Sequence, residues 1–450
     1  MRYKNLLTKC LGLFFCLMTA CSSSSIQTQS SNGSQDNNPS PPSLTTAESF
    51  AKASTQLNVL SLGSDFPPAI QIPDIDGLRS TAFVVSFLPA VLAVDLDANP
   101  ITLSKTFKGF DATTTPEVAF PSKIKILNTT MGLLLGTSDF VGTSALVVFN
   151  PTTGQKLDSL NLSQTITLNQ ALPFSRAADC DGNGTTQSSI PAGPYNPNYA
   201  ADMAVVDNHL FVTMSNLCFD GSGSVYTQGL VMIYDIHNNA PFFTPASTPY
   251  LIVAGFNVTA LTLVDDRLVV TASGDTNLSG SVSTPESDSF LTRIDPNGLT
   301  LAGILNLGKV AANFQSLALT SDHSRGFVGS SSFSEVYAID LDHFSVLRGI
   351  NDPITVFDGA DFISDQSVAF GDHVLFVSSF NNSALRAIDL DDQDLGVLPT
   401  VLNFGFEGNP GTTGAGPMAL RPGMPGDDFQ GPDLWVLTSN PGTLSSAKTY

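Results

Sequence analysis

The sequence predicts an all-β chain: a seven-bladed β-propeller standing behind an N-terminal export signal and a polar tether. Three observations predict it. One short apolar run recurs seven times, a second run follows it in six of those copies, and the composition favours turns. The chain has 450 residues, with 36 Gly, 28 Pro, 30 Phe and a single Trp; 42 % are hydrophobic and only 13 % charged. Such a mixture suits half-buried strands between tight turns, not long charged helices.

The first run reads AFVVSF at Ala82, LLLGTS at Leu133, LFVTMS at Leu210 and LVVTAS at Leu268, then GFVGSS at Gly326, LFVSSF at Leu375 and LWVLTS at Leu434. Successive starts lie 51, 77, 58, 58, 49 and 59 residues apart. The second run reads VLAVDLD at Val91, ALVVFNP at Ala145, LVMIYDI at Leu230, FLTRIDP at Phe290, VYAIDLD at Val336 and LRAIDLD at Leu385. Each run is short, apolar, rich in β-branched and aromatic residues, and bounded by Gly, Asn, Asp or Ser, so each predicts a strand. Weaker strands precede the pair at Met203, Leu261, Leu317 and Ser367, and others follow it at Leu299 and Ser345. Four strands in each of seven repeats of about fifty residues make a propeller of seven blades, not six or eight.

The seventh copy has no obvious third or fourth strand before the sequence stops. TLSSAKTY, from Thr443, supplies the third, and LNVLSL, from Leu57, supplies the fourth from the other end of the chain. An open edge would leave backbone N–H and C=O groups unpaired, which is the physical reason to expect this closure.

The best-formed unit, ALTSDHSRGFVGSSSFSEVYAIDLDHFSVLRGI from Ala318 to Ile350, resembles the YVTN family of bacterial propeller repeats. In that family a turn containing Asp and Gly precedes a YVtn-like strand and then a VyvID-like strand. The resemblance is clear in blades five and six and loose elsewhere, covers about a third of the chain, and departs at the name-giving strand, here FVGSS or FVSSF. WD40 repeats match less well, because no Trp-Asp pair ends the third strands. One tryptophan, Trp435, cannot supply the repeated motif of quinone-binding propellers.

Residues 1–20 carry a basic start, Met-Arg-Tyr-Lys, and a short apolar stretch from Leu11 to Met18. They read as a signal peptide, too short to span a membrane. The following Leu17-Met18-Thr19-Ala20-Cys21 resembles the lipobox of bacterial lipoproteins, with Met18 where Leu is usual. That resemblance implies lipidation of Cys21 and anchoring to the cell envelope. Ser22, rather than Asp, implies the outer membrane by the enterobacterial sorting rule. Residues 21–48, rich in Ser, Asn, Gln and Pro, have almost no apolar side chains to bury and read as a disordered tether. Residues 49–450 form the propeller domain.

Cys10 and Cys16 leave with the signal and Cys21 takes lipid, so Cys180 and Cys218 remain in an oxidising compartment. An even pair there predicts a disulfide. In a propeller, the loops from strand two to strand three share one face with the loops between blades. Cys180 lies in the long connection from blade two to blade three, Ser163 to Ala200, and Cys218 follows the second strand of blade three. Both cysteines therefore fall on one face, as does the long loop Gly274 to Ser289 of blade four. That face, near blades three and four, is the expected ligand or partner surface.

Two loops on it offer hard oxygen ligands. DTNLSGSVSTPE supplies Asp275, Asn277 and Ser279 at alternate positions, Gly280 for the turn and Glu286 at position twelve, a pattern suited to calcium. DCDGNGTT offers Asp179, Asp181, Asn183 and Gly184 but has Ile190 where the closing carboxylate belongs. Ordinary turn chemistry explains the same residues. The aspartates ending third strands (Asp95, Asp235, Asp295, Asp340, Asp389) recur once per blade and read as turn formers. His209, His323 and His373 occupy equivalent first-hairpin turns of different blades, too far apart to share a metal.

Nineteen Lys and Arg against 40 Asp and Glu give a formal charge of −21. This excludes a nucleic-acid binder, which needs a basic face. No HExxH, GxSxG, P-loop or CxxC occurs, and no catalytic residue is assigned. The function expected first is that of an envelope lipoprotein, held to the membrane by its lipid, whose propeller binds or scaffolds a protein or small molecule. Two other propeller functions compete. A metal-dependent hydrolase of the lactonase type would need Glu, Asn and Asp converging from innermost strands. A docking subunit like the propeller lipoprotein of the outer-membrane β-barrel assembly machine rests on fold analogy alone.

Overall fold

The computed structural model describes residues 58–447, apart from 63–66, 87–89, 109–117, 119, 139–141, 181–182, 221–222, 280–281, 359–361, 370–371, 382–383, 399–401, 404–413, 422–433 and 440–442. Cys21, with the signal and tether, lies outside the described residues. Those residues contain no helix. All thirteen apolar runs are strands, from Thr81–Ser86 and Ala90–Asp95 in blade one to Leu434–Ser439 in blade seven. They pair in antiparallel order as the second and third strands of seven sheets.

The innermost strands are Ala69–Gln71, Phe120–Ile126, Ala200–Val206, Val258–Val264, Ala318–Leu319, Ile363–Ala369 and Gly414–Leu420. The fourth strand of blade five is split into Ser345–Arg348 and Ile354–Thr355, both paired with Glu335–Asp340. Blade seven closes the ring from both ends: Asn58–Ser61 pairs with Thr443–Ala447, Asn58 opposite Ser446 and Ser61 opposite Thr443. The chain thus folds as a seven-bladed propeller whose last blade takes its outermost strand from the start of the domain.

The middle strands read as continuous apolar runs because each sheet is covered on both faces by its neighbours. Ser144–Phe149 and Val374–Ser379 are buried at every position. Seven hydrophobic layers fill the gaps between adjacent blades. Phe83 and Leu134 meet between blades one and two, and Leu135 and Met203 between two and three. Phe211 and Val270 meet between three and four. The last layer joins Val84 and Val94 of blade one to Trp435, Leu437 and Leu444 of blade seven. Each fully buried Leu or Phe stabilises the ring by roughly 1.5–3 kcal/mol. At the far end of the first hairpins, Asp207, Asp265, His323 and Asp372 all take positive φ, between 51° and 72°. Asp and His accept that left-handed turn more readily than β-branched residues do, which accounts for the polar residues that punctuate the repeats there.

Candidate functional site

The enlarged connections of blades two, three and four are hairpins rather than irregular loops. Ile166–Leu168 pairs with Gly193–Tyr195, and Leu172–Ala178 with Gln187–Ile190, making a two-tier arm. Leu217–Phe219 pairs with Ser224–Tyr226 in blade three, and Thr276–Ser279 with Val282–Pro285 in blade four. Their sequences are too polar and too short for alternation to be read without the partner strand. Together they form a canopy over one face.

Cys180 and Cys218 are joined by a disulfide, Cα atoms 5.7 Å apart, linking the arm to the blade-three hairpin. Around it Phe174, Ala178 and Val225 are buried, with Ile190 packed against them, a small core separate from the seven layers. Polar contacts run alongside. Arg176 donates to both carboxylate oxygens of Asp220, at 2.6 and 3.2 Å, and to the Ser224 carbonyl at 3.2 Å. The two-pronged geometry fixes orientation as well as distance. The Tyr226 N–H donates to Ser175 Oγ at 3.2 Å.

Asp275, at the base of the blade-four hairpin, is 4 % exposed. Burial pushes its carboxyl above the usual range, opposed by a hydrogen bond from Ser175 and the nearby Arg176 charge. Burial, with the Asp275 charge next, also drives the Tyr226 hydroxyl upward. Asp275 thus ties blade four to the arm.

The calcium pattern expected at Asp275, Asn277, Ser279 and Glu286 falls on a β-hairpin. The segment is a ladder whose base is closed by Glu286 N–H on the Asp275 carbonyl at 2.8 Å. Asp275 is buried while Asn277 and Glu286 are exposed, and Gly280 lies outside the described residues. Strand pairing carries positions 277 and 279 away from the base along the ladder. Among the described residues no three His, Cys, Asp or Glu side chains come together to hold a metal. In the second loop, Asp179 accepts the N–H groups of Asn183 and Gly184 at 3.1 and 2.8 Å, which is turn chemistry. Asp181 is outside the described residues.

The third-strand aspartates likewise bond ahead. Asp95 accepts Asp97 N–H at 3.0 Å, Asp340 accepts His343 N–H at 2.9 Å, and Asp389 accepts Asp391 N–H at 3.0 Å. His209, His323 and His373 each face an aspartate of their own, Asp235, Asp265 and Asp391, and do not converge.

The central channel holds residues the repeat pattern did not single out. Innermost strands of all seven blades line a cavity of about 470 Å³. Two buried carboxylates lie in its wall. Asp202 accepts Met203 N–H at 2.8 Å and, from the next blade, Leu261 N–H at 2.9 Å. Asp365 accepts Gln366 N–H at 2.8 Å and Met418 N–H at 2.7 Å. Burial pushes the Asp365 carboxyl up to about 6, against the pull of those N–H groups and of Lys123. Lys123 of blade two reaches across the channel to blade five, donating to Gln315 Oε1 at 2.8 Å and the Phe314 carbonyl at 3.4 Å. Among the described lining residues there is no Glu. The sequence signal was faint: both aspartates sit just before the readable runs at Met203 and Ser367.

No protein-family profile and no curated protein sequence matches the chain. Solved structures are similar in fold. The β-propeller domain of Cps50 (Swd1) from Myceliophteria thermophila aligns with a TM-score of 0.54 at 8 % identity, over 87 % of this chain and 100 % of that one. Sqt1 of Saccharomyces cerevisiae aligns with a TM-score of 0.50 at 9 % identity, over 87 % and 98 %. At such identities the likeness is one of architecture: the chain has the fold of a β-propeller.

Proposed function

We propose that this protein is a cell-envelope lipoprotein, lipidated at Cys21 and held at the outer membrane, whose propeller serves as a binding or scaffolding module for a macromolecular partner. The observation that carries the binding role is the canopy. Three enlarged connections, from different blades, gather on one face and are fixed there by the Cys180–Cys218 disulfide, the Arg176–Asp220 pair and a small core of their own. Extra chain that merely joined strands would need none of this. Exposed side chains such as Phe219, 43 % accessible, stand on it. The LMTAC segment and the polar tether support the anchoring.

Photo-crosslinking in intact cells tests the binding role. A crosslinker at Phe219 or Asn277 should give discrete adducts, while one at Thr130, in a first-hairpin turn of the opposite face, should give none; the reverse pattern would reject the canopy as the binding face. Fatty-acid labelling of wild type and Cys21→Ala tests the anchor, and equal labelling would reject it.

A further inference from the structure

We propose that the central channel binds a small anion through Lys125, with Lys123 beside it: the structure sets the Lys125 ammonium, without a hydrogen-bond or ion-pair partner among the described residues, in a polar cavity. This site is independent of the canopy. Only 19 of 450 residues are Lys or Arg. Two of them, Lys123 and Lys125, line the cavity from one strand, Phe120–Ile126. Two residues apart on a strand, they share a face, with Cα atoms about 6.5–7 Å from each other.

Neither lysine forms an ion pair among the described residues, although the Lys123 charge acts on the Asp365 carboxyl. Lys123 hydrogen-bonds two neutral oxygens, Gln315 Oε1 and the Phe314 carbonyl. Lys125 is half-buried, and among the described residues its side chain has no hydrogen bond or ion pair. In the same wall, each oxygen of Asp202 and Asp365 already accepts a backbone N–H, and neither carboxylate forms an ion pair with Lys125. A half-buried ammonium without a bonded partner loses solvation that an incoming anion restores. The cavity, about 470 Å³, is at the lower end of the range of small-molecule sites. Gln71, Gln315, Ser316 and Ser367 add polar lining suited to a ligand with several oxygens. The ligand class is therefore a small oxyanion, a polycarboxylate or a phosphate ester, recognised by its anionic oxygens.

Titration calorimetry with citrate and, separately, glucose 6-phosphate tests this on the full folded chain. Binding of either is expected, and the preferred probe identifies the carboxylate or the phosphate source. Lys125→Met should weaken that binding at least ~10-fold, Lys125→Arg should retain it, and Lys105→Met, on the outer rim, should match wild type. Because the Lys125 side chain makes no bond among the described residues, the melting temperature without ligand should be unchanged in Lys125→Met. Absence of heat with both probes up to about 10 mM would overturn the proposal. So would undiminished binding by Lys125→Met, or an equal loss in the Arg variant.

Discussion

Asp202 and Asp365, three blades apart, make the same two hydrogen bonds. In each, Oδ1 accepts the N–H of the following residue and Oδ2 accepts an N–H from the innermost strand of the next blade, Leu261 or Met418. Each carboxylate therefore staples two blades at the channel wall, three to four and six to seven. A side chain that bonds backbone in this way is a structural part even though it lines a cavity.

Asp365 makes stability depend on pH. Its folded carboxyl titrates at about 6 against an ordinary value of 3.8. Between those values the unfolded chain has lost the proton that the folded chain still holds, so stability falls as pH rises and levels off above the folded value. The window spans about 2 pH units, on the order of 3 kcal/mol. Asp365→Asn lacks this dependence. Urea denaturation from pH 4 to 7 should show wild type losing up to about 3 kcal/mol relative to the variant; a constant difference would contradict it.

The disulfide should govern the canopy alone. Its small core is separate from the inter-blade layers, so Cys180→Ser is expected to loosen the arm while the ring stays folded. Limited proteolysis should cut within residues 163–230, with the main thermal transition moving only a few degrees. Cooperative unfolding of the whole chain would show that the canopy bears on the ring.

Closure should matter more. Deleting residues 49–63 removes Asn58–Ser61 and leaves Thr443–Ala447 as an unpaired edge, with the layer around Trp435 and Leu444 opened at its rim. A fall of several degrees in Tm is expected, together with self-association through the free edge, measurable by light scattering. An unchanged Tm would mean that the terminal pairing contributes nothing.

Gly136 permits a close approach between strands. A Cβ there would meet the Phe120 carbonyl oxygen at 2.3 Å and Pro121 Cα at 2.7 Å, and neither backbone atom can turn aside. Gly136→Ala should cost about 1–3 kcal/mol by chemical denaturation. A neutral result would show that the innermost strand of blade two shifts freely.

The middle strands were legible in the sequence because both faces of each sheet are buried, so their apolar character is continuous and repeats. LFVTMS and LVMIYDI announce blade three without help. Closure was legible for a different reason: the ring needs a last partner, and only Leu57 onward could provide it. The innermost strands were harder. They look into a channel, so polar residues such as Lys123, Asp202 and Gln366 interrupt the pattern, and what those residues do depends on the opposite wall. The canopy was legible as a location and as a cysteine pair, but not as hairpins. Strand pairing there is decided by contacts such as Phe174 with Thr227, 53 residues on. The calcium pattern failed to anticipate the hairpin because its alternating oxygens are equally the polar edge of a short ladder.

The strand Asn58–Ser61 also gives the disc a front and a back. It is the outermost strand of blade seven, and Asn58 lies beside Ser446, at the end where third strands turn into fourth ones. The canopy occupies the opposite side, where second strands turn into third ones and blades succeed each other. The chain thus enters the disc at its rim, from behind. The entry point of the chain and the canopy therefore lie on opposite sides of the disc.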